Sequence, residues 1–348
     1  MTLPDIQINQ QGALGRIHLN RPKAINALSL DMIRSISSAL TAFASQKEIV
    51  AVVVSGEGER GLCAGGDIRA IYNHRTDGPA FGQEFFREEY RLNAQIARFS
   101  KPYIAIMDGI TMGGGVGISA HGSVRIVTER TRLAMPETGI GFYPDIGASW
   151  LFSHAPDELG TYLALTGQII GGSDAILAGL ADFLIRSENL PSLLHALAVQ
   201  SSGGDVQQMI KSIQAVSESV DPVLSTHLTE INQAFSFNDT KEIIAVLKQR
   251  NTNFSHQTLK TINQNSPIGM QVALRLLRLA RQSTTLEECL QREYAASLHA
   301  LTGTEFYEGI RSVVVDKDHR PTWRPALLED VTEELIASYF KPASTQLF

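Results

Sequence analysis

Apolar and polar positions first alternate along the chain and then recur at helical spacing. Residues 5–19 predict two short strands around the turn "NQQGALG", because "RIHLN" alternates in the second strand. Over 29–46 the apolar side chains recur every three or four residues, which predicts an amphipathic helix. The chain therefore opens with a pair of strands followed by a helix.

Two continuous apolar runs follow, "IVAVVVSG" and "YIAIMDG", and their β-branched content is typical of buried parallel strands. Glycine-rich stretches come after them: "GEGERGLCAGGDI" is predicted to be a loop, and "MGGGVGISAHG" is predicted to begin a helix. Residues 80–99 read as a helix, and "VRIVTE" and "RLAMPE" as short strands. This alternation predicts an α/β layered fold that binds ligands in loops at the carboxyl ends of strands.

The pattern changes near residue 190, which suggests a core domain over 1–190 and a mainly helical region over 191–348. The helical region contains one β-branched piece, "SVVVDKD". "NSPIG" offers Ser266 as a helix N-cap followed by proline. "TLEECL" has the spacing of a capping box.

Composition narrows the class of protein. Of 348 residues, 43% are hydrophobic and 19% charged, an ordinary globular balance, and the net charge of -6 disfavours nucleic acid or an anionic membrane as partner. Two cysteines without metal-ligand spacing fit a reducing compartment and predict no metal site. Because the amino end has no signal-peptide pattern and no apolar run approaches 20 residues, we expect a cytoplasmic protein, or one whose targeting segment has already been removed.

The two glycine loops, "CAGGDIR" and "ITMGGGVG", are the first candidates for chemistry. Glycine lets a ligand approach the backbone, and a helix start presents unpaired N–H groups. One N–H from each loop could bind a single carbonyl oxygen, as in an oxyanion hole. Each loop alone also fits a turn or a tight packing contact, and neither matches a phosphate-binding fingerprint.

The order and spacing of "LNRPKAINAL", "CAGGDIR", "KPYIAIMDGITMGGGVG" and "MPETGIGFYPD" resemble the crotonase (enoyl-CoA hydratase/isomerase) superfamily. Further segments, including "FFREEY", "EYAASLHAL" and "FYEGIRSVVVDKDHRPTWRP", resemble its 3-hydroxyisobutyryl-CoA hydrolase branch. The resemblance implies a spiral of ββα units with an α-helical C-terminal region. It also implies an oxyanion hole formed by the N–H groups of Gly66 and Gly114, which would hold an acyl-CoA thioester carbonyl.

The resemblance also implies which carboxylates act. Family hydratases use two glutamates; Gly117 stands at the position of the first, and Glu137 at the position of the second. Glu137 would lie over the thioester carbon and either attack it or activate water, and both routes stay open. The alternative for Glu137 is a structural role in an ion pair.

Two further acids are expected near the acyl group. Asp145 would bind the substrate hydroxyl or orient water, or else be an Asx-turn residue. Glu89 would bind substrate, with neighbouring Glu88 as the competing candidate.

The phosphates of CoA require cations. Arg69 is expected near the pyrophosphate, and Arg21 and Lys23 near the adenine and 3′-phosphate, although each also fits a solvated surface charge. Asp67 reads as a helix cap, and Cys63 as a small buried residue. No cofactor is expected beyond the CoA of the substrate.

Three functions remain for comparison. The first is hydrolysis of a short 3-hydroxyacyl-CoA, with 3-hydroxyisobutyryl-CoA in valine breakdown as the leading substrate. The second is hydratase or isomerase activity, which would need a replacement for the glutamate missing at Gly117. The third is non-catalytic acyl-CoA binding. Superfamily members often form trimers or hexamers, so a homo-oligomer is one option, but the longer tail leaves the oligomeric state open.

Overall fold

Strand pairing builds two sheets in the computed structural model, which describes residues 4–200, 206–343 and 345–348. The described strands are β1 (Ile6–Gln11), β2 (Leu14–Leu19), β3 (Ala51–Gly56), β4 (Gly61–Cys63), β5 (Tyr103–Met107), β6 (Ile110–Met112), β7 (Val124–Val127), β8 (Arg132–Ala134) and β9 (Phe183–Leu184). The larger sheet has the order β1-β2-β3-β5-β7-β9, and the smaller has the order β4-β6-β8.

The chain visits the two sheets alternately. β3, β5 and β7 lie in the larger sheet, and the strand that follows each of them lies in the smaller one. β1 and β2 form the predicted antiparallel hairpin, whereas β2, β3, β5, β7 and β9 pair in parallel. These repeated strand pairs confirm the α/β class and the expected spiral of ββα units.

Helices make up most of the remaining described chain. They are α1 (Leu30–Ser45), α2 (Ile68–Asn73), α3 (Ala80–Ala97), α4 (Gly114–Gly117), α5 (Ala148–Ser153), α6 (Leu159–Thr166), α7 (Gly172–Leu177), α8 (Leu190–Gln200), α9 (Val206–Ala215), α10 (Leu228–Phe235), α11 (Thr240–Arg250), α12 (Asn253–Ile262), α13 (Pro267–Ala280), α14 (Leu286–Ala300), α15 (Glu305–Ile310) and α16 (Glu333–Tyr339). In the described part of the chain, no helix is long and apolar enough to cross a membrane.

The chain forms two compact units, each assembled from three segments. The first unit comprises 1–66, 92–133 and 170–223, and the second comprises 67–91, 134–169 and 224–348. The boundary expected between 190 and 191 divides the sequence in another way and stays a prediction.

The core of the first unit lies on the larger sheet. Side chains on one face of its central strands pack with α8 and α9 in a cluster of Leu14, Ala51, Val53, Ile104, Ile106, Val124, Ile126, Ile185, Leu190, Leu193, Leu197, Ala198 and Ile213. Because strand side chains alternate between faces, Gly15 points the opposite way from Leu14, and it lies against the ring of Phe43 on α1. The larger sheet is thus covered by helices on both faces.

Aromatic rings form part of the core of the second unit. Phe142 stacks on Phe86 at a centroid distance of 5.5 Å and lies 4.5 Å from Phe306. The predicted cap is present as well, since the Ser266 side chain accepts a hydrogen bond from Gly269 N at the start of α13. The second unit thus consists mainly of helices, and aromatic rings form part of its core.

The structure corrects several local predictions. The stretches around "GLC" and "ITM" are short strands, β4 and β6, and not only loops. The helix expected from "MGGGVGISAHG" is a single turn, α4. "RSVVV" continues α15 as a π-helical turn. The helices α5, α6 and α7 follow one another between residues 148 and 177, before the expected change near 190. After β9 the described residues form no further named strand.

Candidate active site

The two glycine loops lie side by side in the first unit. Backbone hydrogen bonds from Ala64 N to Ile25 O and from Leu28 N to Gly65 O, both 2.9 Å, fix the loop after β4. Gly65 has a φ of +114°, and a Cβ there would lie 3.7 Å from Gly114 N. The loop after β4 therefore runs beside the start of α4, which explains why this position is glycine.

The amides of Gly66 and Gly114 are the candidate oxyanion donors. Gly114 is the first residue of α4, so its N–H has no acceptor within that helix. Among the residues that the structure describes, neither of these two N–H groups donates a hydrogen bond to a backbone carbonyl in a turn, loop or cap. The dipole of a one-turn helix is small, so we assign the expected stabilisation to the N–H groups themselves. That both amides bind one carbonyl oxygen stays a prediction.

The three carboxyl residues expected at the acyl group are all buried, and all three belong to the second unit. Glu137, directly after Pro136, begins a 3₁₀ turn, and its side chain is 7% exposed. Asp145 is 5% exposed and Glu89 only 3%. Glu137 Oε2 and Glu89 Oε1 are buried without a hydrogen-bond partner among the described residues. Such oxygens are costly to leave unpaired, which is typical of a binding site.

Burial also shifts the proton affinity of these acids. Loss of hydration raises the pKa of Glu89, Glu137 and Asp145, in the case of Asp145 to about 7. The negative charge of Asp145 raises the pKa of both glutamates further. A hydrogen bond from the Tyr90 hydroxyl opposes the shift at Asp145. Carboxyl groups with raised pKa values suit proton transfer and hydrogen bonding to a substrate.

Glu293 is a further buried acid, which none of the sequence motifs indicated. It is fully buried on α14, and its carboxylate accepts hydrogen bonds from Gly147 N at 2.6 Å and Ser149 N at 3.0 Å. Burial nevertheless raises the pKa of Glu293 to about 8. A signal was present in the sequence, because Glu293 shares a helix face with Leu290 and Cys289, and an acid on an apolar face needs a partner.

Comparison with known proteins shows the family of this chain. The family model described as enoyl-CoA hydratase/isomerase matches residues 14–340. The chain belongs to this family. The match confirms the crotonase resemblance inferred from the motifs.

Curated relatives of the chain cover nearly its whole length. The 3-hydroxyisobutyryl-CoA hydrolase, mitochondrial, of Homo sapiens is 40% identical over 343 residues, which are 97% of this chain and 88% of that protein. The protein of the same name from Rattus norvegicus is 41% identical over 342 residues, 97% of this chain and 89% of that protein.

Solved structures of the family carry other names. A carnitinyl-CoA dehydratase from Mycobacterium thermoresistibile has a TM-score of 0.93 at 39% identity, covering 99% of this chain and 98% of that one. An enoyl-CoA hydratase from Rhodobacter sphaeroides has a TM-score of 0.90 at 38% identity, covering 97% and 98%. Both support the crotonase fold of this chain.

One hydratase feature of the family is missing from this member. Position 117, where the resemblance puts the first hydratase glutamate, is a buried glycine at the end of α4. The chain therefore has no carboxyl at that position.

The expected CoA-binding cations lie on or near the surface. Arg21 donates to Ala27 O at 2.7 Å and pairs with Asp5 at 3.4 Å, so it also ties its own loop together. Lys23 is exposed, and Arg69 donates a hydrogen bond to Val314 O. Their contacts to CoA stay predictions, since structural roles for Arg21 and Arg69 are visible.

The remaining candidates have structural roles. Asp67 caps α2 by accepting a hydrogen bond from Ala70 N at 3.3 Å, as predicted. Cys63 is buried, as predicted, and its sulfur accepts a hydrogen bond from Gly65 N at 3.4 Å. Across the described ranges, no group of His, Cys, Asp and Glu side chains could hold a metal ion.

Proposed function

We propose that this chain hydrolyses a short 3-hydroxyacyl-CoA thioester, with 3-hydroxyisobutyryl-CoA as the leading substrate. The observation that carries the proposal is Glu137, a buried carboxyl with one oxygen that has no hydrogen-bond partner among the described residues. Glycine at position 117 supports hydrolysis over water addition, because hydrolysis needs one well-placed carboxylate and not two. The names of the curated relatives support the same substrate.

The proposed chemistry begins at ionised Glu137. In the covalent route its oxygen attacks the thioester carbon, and the carbonyl oxygen becomes an oxyanion that accepts hydrogen bonds from the amides of Gly66 and Gly114. Collapse breaks the C–S bond, releases CoA thiolate and leaves a mixed anhydride on Glu137. Water then cleaves the anhydride and regenerates the carboxylate. In the alternative route Glu137 removes a proton from water, which attacks directly.

The other acids are assigned to the acyl group. Asp145, whose second oxygen is not used by Tyr90, would accept the hydrogen of the 3-hydroxyl. Glu89, in which burial favours the protonated carboxyl, would donate to substrate from the oxygen that has no hydrogen-bond partner among the described residues. Arg21, Lys23 and Arg69 would contact the phosphates of CoA. Water is the only co-reactant, so we propose no cofactor.

A panel of short acyl-CoA esters, followed by release of free thiol, tests this function. We expect fastest release from 3-hydroxyisobutyryl-CoA or 3-hydroxypropionyl-CoA, and slower release from esters without the hydroxyl. No thiol from any member of the panel would contradict the proposal.

A hydratase activity is the second candidate, because the two structures of 38–39% identity are titled as a hydratase and a dehydratase. With crotonyl-CoA, loss of the enoyl absorbance without free thiol would support it. Tight ester binding without either reaction would instead support the third candidate, a non-catalytic acyl-CoA-binding protein.

Three finer expectations are part of the proposal. Valine breakdown is the expected pathway, following from the expected substrate. A cytoplasmic location has no support from the relatives, whose names include "mitochondrial". Self-association is left as one option for the oligomeric state.

A further inference from the structure

The segment that carries Asp145 has an unusual backbone. Ile146 and Gly147 follow each other with φ values of +59° and +80°. A β-branched residue such as isoleucine rarely adopts positive φ, because its Cβ crowds the backbone. This conformation persists only where surrounding contacts hold it.

Glu293 supplies those contacts. One oxygen accepts Gly147 N, and the other accepts both Ser149 N and Ser149 Oγ. Three donors from one short segment thus converge on one fully buried carboxyl group from α14. Glu293 therefore closes the loop that begins at Asp145.

A chain of hydroxyl groups leads from the same helix to Asp145. Tyr143 lies 3.0 Å from Ser297, Ser297 lies 2.6 Å from Tyr90, and Tyr90 donates to Asp145 Oδ2 at 2.6 Å. Each hydroxyl has one hydrogen, so an ionised Asp145 favours the order Tyr143 to Ser297 to Tyr90 to Asp145. Hydrogen bonds aligned in this way strengthen one another. The carbonyl oxygen of Glu293, 2.9 Å from Ser297 Oγ and 3.2 Å from Tyr143 Oη, is the competing acceptor.

We infer that Glu293, Ser297 and Tyr90 are positioning residues that fix the orientation and charge state of Asp145. Glu293 holds the backbone that carries Asp145, and the Ser297–Tyr90 pair fixes one of its carboxylate oxygens. The other oxygen is then directed by the same frame toward the substrate hydroxyl. This inference rests on the proposed function, in which Asp145 contacts substrate.

Several titratable groups surround Asp145. They are Glu89 and Tyr90 on α3, Glu137 and Tyr143 on the segment between β8 and α5, and Glu293 on α14. All are acids or phenols, so none supplies a positive charge. Donated hydrogen bonds are what counter burial at Asp145, and Tyr90 is the side chain that gives one.

The test compares the tyrosine variants Y90F and Y294F. Both tyrosines are fully buried, and Tyr294, on α14, accepts a hydrogen bond from Arg87 at 3.2 Å outside the chain of hydroxyls. We expect Y90F to raise the pKa of Asp145, so the acid limb of kcat/KM for thiol release moves up by half a pH unit or more. S297A should move it less in the same direction, and Y294F should leave it unchanged. An unmoved limb in Y90F, or an equal shift in Y294F, overturns the inference.

Glu293 is tested by a double-variant cycle. E293Q can no longer satisfy all three donors, because its amide NH₂ faces an N–H group. We expect the kcat/KM of E293Q to fall tenfold or more below that of the native protein. The double variant E293Q/Y90F should have a kcat/KM within threefold of that of E293Q, since both substitutions remove contacts that orient the Asp145 carboxylate. If the losses of kcat/KM in E293Q and Y90F multiply in the double variant, the proposed role of Glu293 is wrong. If E293Q does not fold, S149A, which removes one donor, takes its place in the cycle with the same two outcomes.

A direct titration separates this inference from the proposed function. Carbon-13 NMR of labelled aspartate carboxyls gives the pKa of Asp145 in the native protein and in Y90F without any turnover. A native protein that releases no thiol contradicts the proposed function alone. A pKa of Asp145 that is the same in both proteins contradicts the inference, whatever the activity.

Discussion

At the scale of single residues, burial decides what each acid can do. Glu89 and Glu88 are neighbours on α3, yet Glu89 is 3% exposed whereas Glu88 is only partly covered. The sequence offers both glutamates as candidates. It does not distinguish them, because their burial depends on which face of α3 is packed. Glu137, Asp145, Gly66 and Gly114 were nominated through motifs, whereas Tyr90, Glu293 and Ser297 act through partners more than 50 residues away in the chain.

The contrast between the two neighbouring glutamates is testable. E89Q replaces a buried group at the proposed substrate, so we expect kcat/KM to fall by roughly 10- to 100-fold. E88Q is the matched control and should stay within about twofold. Equal losses in the two variants would show that Glu89 has no special role.

The raised pKa of Asp145 predicts a pH dependence. Asp145, with a pKa of about 7, must be ionised to accept the substrate hydroxyl, and Glu137, whose pKa is also raised, must be ionised to attack or to activate water. Activity should therefore fall as the pH drops through 7, on an acid limb at or above that value. A profile of kcat/KM with its limb near the ordinary carboxyl value of about 4 would contradict this account.

At the scale of elements, the contact between α4 and β4 sets up the glycine loops. A Cβ on Gly115 would lie 2.4 Å from Cys63 O, so only glycine lets the helix approach the strand this closely. The sequence predicted the buried strands β3 and β5 because they are long and continuous. It missed β4 and β6 because they are three residues long and adjoin glycine-rich stretches, which indicated loops.

Substitution at Gly115 tests this contact. We expect Gly115→Ala to push α4 away from β4, to lower the free energy of unfolding by about 1–3 kcal/mol and to slow thiol release. Gly171→Ala is the control, because Gly171 has a φ of -84° and open space around its Cβ position. Thermal melting and steady-state rates measure both effects, and equal behaviour of the two variants would contradict the packing argument.

At the scale of the whole molecule, the chain combines a spiral of ββα units with a mainly helical region. The ββα spiral follows from strand pairs that alternate between two sheets, and no repeat of fixed length in the sequence announces it. The mainly helical character of 191–348 could be predicted, because caps and helical spacing are local signals. The two compact units could not, since their segments are separated in sequence and joined by tertiary contacts.

Buried acids also make the stability of the whole molecule depend on pH. The pKa values of Asp145, about 7, and Glu293, about 8, lie above the ordinary values of 3.8 and 4.5 that apply to the unfolded chain. The folded protein therefore holds protons that the unfolded chain has lost, and stability falls as the pH rises through 7 and 8. We expect the melting temperature to drop by roughly 3–8 °C between about pH 6.5 and 9. D145N and E293Q should each flatten this slope, and a melting temperature that rises over the range would contradict the assignment.

The central claim is that Glu137 is the carboxylate that cleaves a CoA thioester. The most direct measurement follows free thiol from 3-hydroxyisobutyryl-CoA in the native protein, in E137Q and in the control E88Q, with folding of each checked by thermal melting. We expect steady thiol release by the native protein and by E88Q, and a loss of at least 1,000-fold in E137Q, on the order expected for removal of a nucleophile or base. Undiminished release by folded E137Q, or none by the native protein, would contradict it.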